Sequence, residues 1–99
     1  MIKLLAMQAI MKPELIEKES IPNLTFKNEV KFKQHPNLTK QIDDATQLGN
    51  SSHTKVSIIF IDDEGLKRVD TTIWAAGTKF ICLKGAVWIP INRIVEVLI

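Results

Sequence analysis

Ile89-Pro90-Ile91-Asn92-Arg93-Ile94-Val95-Glu96-Val97 is the stretch that decides the fold. Proline has no N–H to give a sheet ladder, so Pro90 ends a strand. Asn92-Arg93 supplies a polar turn, and β-branched residues resume at once with Ile94 and Val95. A strand that halts, turns briefly and restarts is how small closed β architectures swing their final strand around.

The residues before this stretch read the same way. From Lys55 onward hydrophobic residues follow a strand period. Val56, Ile58 and Phe60 share one face and Ser57, Ile59 and Ile61 the other, so this strand is apolar on both sides. Asp62-Asp63-Glu64-Gly65 reads as a four-residue hairpin loop with a solvated acidic tip. The return strand alternates Val69, Thr71, Ile73 and Ala75 against Arg68, Asp70, Thr72 and Trp74. Ala76-Gly77-Thr78 turns into a strand over Lys79–Lys84, and Gly85-Ala86 turns into Val87–Ile91. Ile94–Leu98 completes the count at five.

Before Asn50 the pattern is helical or irregular. Residues 1–12 suggest a short apolar helix stopped by Pro13, and Ser20-Ile21-Pro22-Asn23 reads as loop. Residues 24–34 fit a helical stripe and a strand equally well. Leu38, Ile42, Ala45 and Leu48 recur at helical spacing behind an N-cap at Asn37, with Gly49-Asn50 as the stop. The chain therefore divides into a helical or irregular extension, residues 1–36, and a domain, residues 37–99. That domain is mainly β: a small five-stranded antiparallel barrel preceded by a helical segment.

Composition narrows the function. Thirteen Lys and Arg against eleven Asp and Glu give a formal charge of only +2, low for a DNA-coating protein. The charge is uneven, however. Within 27–40, Lys27, Lys31, Lys33 and Lys40 face Glu29 alone, a local excess of +3 (four minus one). Such a run is a solvated face or a phosphate-contacting arm. The single Cys82 excludes an internal disulfide framework and the repeated thiolates of a zinc site, and a reducing, cytoplasmic setting is expected. The apolar run near Leu4-Leu5-Ala6-Met7 is too brief and interrupted for a secretory signal, and no stretch reaches the ~20 apolar residues of a membrane span.

Catalytic and metal signatures are not found. The acidic loop lacks calcium-loop spacing, with Ile73 where a bidentate acid would close it. Cys82 lies among Phe80, Ile81 and Leu83, surroundings that do not activate a thiolate. His35 and His53 are not at ligand spacing. The chain is expected to be non-enzymatic and to need no cofactor or metal. Trp74 and Trp88 stand out as aromatics near basic residues, suited to core cover, to anchoring a protein partner or to stacking on bases.

Residues 38–99 resemble the Sm-like and SH3-like small barrels, which include the bacterial host-factor RNA chaperones and the Rho-binding antiterminator proteins. The carriers are the helix-then-strands order and the closing motif Ile89–Val95, similar to the second Sm signature. In that family the closing turn faces an RNA-binding pore, which implies that role for Asn92 and Arg93. The turn Ala75-Ala76-Gly77-Thr78-Lys79 departs from the family, lacking its acidic residue and asparagine, while Lys79 retains a phosphate-contacting charge. The resemblance implies RNA binding or transcription regulation through Lys79, Asn92, Arg93, Lys31 and Lys33. The other expectation is a protein-interaction or scaffolding module acting through Trp74 and Trp88. Either use suits a homo-oligomer paired through the apolar edge of Ile94–Leu98.

Overall fold

Val56–Ile61 (β2) is the strand on which the architecture is built. Its inward residues Val56, Ile58 and Phe60 are buried, and so are its outward residues Ile59 and Ile61. In the computed structural model, which describes residues 12–99, β2 pairs antiparallel with Leu66–Thr71 (β3) on one side and Ile94–Leu98 (β7) on the other. A two-residue strand, Glu14–Leu15 (β1), runs parallel to the far edge of β3. The first sheet is thus ordered β1-β3-β2-β7. Ile73–Ala76 (β4), Phe80–Leu83 (β5) and Val87–Pro90 (β6) form a second antiparallel sheet in that order. The helix Leu38–Ser52 (α1) and short 3-10 segments at Lys18–Asn23 and Ile91–Arg93 complete the described elements.

The protein is mainly β, as expected; the single return strand expected over 68–75 is split into β3 and β4, and the other four strands are found near their expected ranges. The closed five-stranded barrel is not. Only Thr72 separates β3 from β4, and Thr71, Thr72 and Ile73 are all buried. Because β3 pairs with β2 while β4 pairs with β5, the chain bends here and passes from one sheet to the other. At the far end β6 and β7 are joined by the 3-10 turn Ile91–Arg93, with no ladder between them among the described residues. Two sheets facing one core result.

Helix placement also differs. The stop expected at Gly49-Asn50 does not operate, and α1 runs on to Ser52. His53 takes the left-handed conformation, donating its N–H to Gly49 O at 3.2 Å while Thr54 N–H reaches Leu48 O at 3.4 Å. Gly49 serves packing instead. A Cβ at that position would lie 2.2 Å from Ile73 O, so only glycine lets the helix lie this close to β4. The helix expected at residues 1–12 lies outside the described residues, apart from Lys12.

Leu38, Ile42 and Ala45 of α1 close the core against Ile58, Phe60, Val69, Ile73, Ile81, Leu83, Ile89, Ile94 and Val97. Each of these side chains other than Ala45 contributes about 1.5–3 kcal/mol on burial. The extension takes part: Ile21 is buried in the same cluster, with Ile16, Leu24 and Phe26 packed against it.

Candidate nucleic-acid interface

The segment 24–34 crosses the protein as a strap tied down along its length. At one end the Asp63 carboxylate accepts the backbone N–H groups of Lys27, at 3.0 Å, and Asn28, at 3.1 Å. Asp63 N–H donates to Thr25 O at 2.9 Å. At the other end Gln34 Nε2 donates to Ile91 O at 2.8 Å and Ile94 O at 2.9 Å, and His35 N–H donates to Val95 O at 2.8 Å. Polar side chains at 34 and 63 thus set the path of a segment that has no ladder of its own.

Arg93 fastens the middle of this arrangement. Its guanidinium, 5% exposed as a residue, donates to Asp63 Oδ1 at 2.9 Å, to Ile61 O at 3.2 Å and to Asn28 O, and lies 5.6 Å from the Phe26 ring centroid. Burial pushes the Asp63 carboxyl up, but bonds from Lys27 N–H, Arg93, Asn28 N–H and Thr25 outweigh it and hold it below the usual carboxylate value. The side chain read as a surface RNA contact therefore points inward, its donors engaged by the strap and the β2 terminus.

The acidic loop also departs from the expectation of a solvated tip. Asp62 is buried, and its Oδ1 accepts Glu64 N–H at 3.1 Å, Gly65 N–H at 2.9 Å and Lys67 Nζ at 3.2 Å. With Asp63 engaged by the strap, only Glu64 of the three carboxylates is fully exposed.

The strap forms one wall of a groove whose floor is the second sheet. One cavity of about 460 Å³ is lined by Gln34, Thr78, Lys79, Phe80, Ile91 and Asn92. A second, of about 530 Å³, lies between Phe26–Val30 and Phe80, Pro90, Asn92 and the largely buried Arg93. The two share Phe80, Pro90 and Asn92 and so adjoin. Lys79 and Asn92, from separate turns, meet in the first cavity because Ile91 N–H bonds to Lys79 O at 2.8 Å. Lys27 lines the second, and Lys31 and Lys33 are exposed further along the strap, outside the lining of either cavity. Glu29 is the single carboxylate among the lining residues.

Trp74 and Trp88 do not line these cavities. They stand on the outer face of the second sheet, 45% and 55% exposed, beside Phe80 at 45%. Phe80 is the residue that sequence reading missed. Its signal was available: between Asp70 and Glu96 the chain carries Lys79, Lys84 and Arg93 and no carboxylate.

The edge of β7 expected to pair with another copy is taken. Besides the strap bonds to Ile94 O and Val95 O, Gln41 Oε1 accepts Val97 N–H at 2.9 Å. Side chains and a crossing segment are a common way to blunt an edge strand. Among the described residues no helix is long and apolar enough to cross a membrane. Comparison with known proteins gave no matching family model, no matching curated protein and no matching solved structure.

Proposed function

We propose that this chain is a non-enzymatic, cytoplasmic RNA-binding protein built as an open relative of the Sm-like and SH3-like small barrels. The strand order supports the architectural part: β7-β2-β3, then the bend at Thr72, then β4-β5-β6 and a 3-10 turn back to β7. Read this way, 66–76 is one strongly bent strand shared by both sheets, and the barrel is left open between β6 and β7.

The functional part is carried by one observation. Lys79 and Asn92 line a single cavity that continues past exposed Phe80 to Lys27. The lysines supply phosphate charge, which positions a strand, and the asparagine amide offers both a donor and an acceptor to a base edge. Lys31 and Lys33 extend the positive surface along the strap. Arg93 holds the wall that makes the groove, a positioning role in place of direct contact.

The test is fluorescence anisotropy of a labelled mixed-sequence single-stranded RNA with Lys79→Ala and Asn92→Ala. Lys79→Ala is expected to weaken binding uniformly across sequences and to lower the salt slope by about 0.7, the loss of one phosphate contact. Asn92→Ala is expected to leave that slope alone while changing base preference. A doubly substituted protein that is folded and binds like the parent would remove this groove from the account.

A further inference from the structure

Resting on the RNA-binding reading, we infer that the bound strand leaves the groove and runs across the outer face of the second sheet. Its bases stack on Phe80, Trp88 and Trp74 there, which makes the protein selective for single strands.

Sheet register places these residues together. Phe80 pairs with Pro90, and Cys82 pairs with Trp88 on one side and Ala75 on the other. Ile81, Leu83 and Ile89 point into the core, so Phe80, Cys82, Trp88 and Pro90 share the opposite face. Phe80 and Trp88 are thus diagonal cross-strand neighbours, about 7–8 Å apart at the backbone, within reach of large rings. Trp74 joins them by alternation after buried Ile73, and a defect adds Ala75 to the same face. The β4–β5 register shifts between Ile73 and Ala75, making Trp74 the extra residue of a bulge, and both Trp74 and Ala75 are exposed. Without that bulge, alternation after buried Ile73 would turn Ala75 back toward the core.

Charge identifies the occupant. This face belongs to the stretch without a carboxylate between Asp70 and Glu96, with Lys79 at one end of β5 and Lys84 at the other. Exposed rings on strands that are flanked by lysines and carry no carboxylate of their own fit an anionic polymer whose every unit carries a flat apolar ring. Phe80 belongs to both groove and face, so the path between them is continuous. A duplex, whose bases are already stacked and paired, gains nothing from such a platform.

The chain contains two tryptophans, both on this face, so its intrinsic emission reports the face directly. Mixed-sequence single-stranded RNA of about 12 nucleotides, within the span of small binding folds, is titrated into the full chain while emission and anisotropy are followed. The expected result is saturable quenching that tracks anisotropy, is weaker with a duplex of equal length, and is accompanied by about tenfold weaker binding in Trp88→Ala with the salt slope kept. RNA bound with unchanged emission would overturn the stacking path and leave the groove reading standing. Absence of any RNA binding would sink both. Quenching that follows protein concentration without RNA would assign the face to a second copy and overturn the inference.

Discussion

Replacing Gly49 with alanine sets two effects of opposite sign against each other, and the geometry decides between them. In an exposed helix interior the substitution stabilises by about 1 kcal/mol, because glycine loses more backbone entropy on folding. Here the new Cβ would lie 2.2 Å from Ile73 O and 2.9 Å from Thr72 Cγ2, where ordinary contact begins near 3.4 Å. The first neighbour is β-strand backbone and cannot rotate away. Relief requires α1 to lift from β4 by about 1 Å, a gap that forfeits a quarter to a half of each dispersion contact across it. Leu38, Ile42 and Ala45 lie on the same buried face and would lose packing together. Overpacking costs about 1–3 kcal/mol, and a backbone clash belongs at the upper end. Subtracting the helix gain leaves a net loss of about 2 kcal/mol, or a fall in Tm of roughly 8–15 °C for a domain this size. Urea denaturation followed by circular dichroism measures it. An unchanged or raised midpoint would refute the argument that Gly49 is there for close approach.

Three further outcomes follow from the same contacts. Arg93→Met keeps the packing against Phe26 but leaves Asn28 O, Ile61 O and Asp63 without their shared donor; faster amide exchange in residues 25–30 than in β2 is expected, and uniform protection would contradict it. The Asp63 carboxyl is held below its usual value, so its contribution is present above the unfolded-state value near 3.8 and lost as pH falls through the lower folded value. The strap should accordingly detach first during acid titration, seen as chemical-shift change at Lys27 and Asn28 before β2; simultaneous change would count against it. Gln41→Ala exposes Val97 N–H on the β7 edge, and concentration-dependent association by light scattering is expected where the parent shows less.

The strands were legible because β-branched and apolar runs bounded by turn residues mark them, and β2 and β7 lie where the pattern of Val56–Ile61 and Ile94–Leu98 places them. Three features escaped for physical reasons. Gly49 looks like a helix stop in sequence, yet its purpose depends on Ile73, 24 positions away. Asp62-Asp63-Glu64 looks like a solvated tip, but the strap and Lys67 that engage its first two carboxylates are distant or on the opposing strand. Arg93 looks like a free cation in a polar turn, and only the folded strap supplies the carbonyls and carboxylate that bury it. Each depends on a pairing between segments that periodicity does not encode. Lys79 and Asn92 were visible as polar residues in turns; that they share one cavity with Phe80 required the sheet.

The central claim is that the groove binds single-stranded RNA through its lysines, and the salt dependence of affinity tests it most directly. Anisotropy of a mixed-sequence single-stranded RNA, measured between about 50 and 200 mM salt, should give a slope of log affinity on log salt of roughly −2 to −3. That is the value expected when three or four of Lys27, Lys31, Lys33, Lys79 and Lys84 each neutralise a phosphate. No measurable binding at the low-salt end, or a slope near zero, would contradict it.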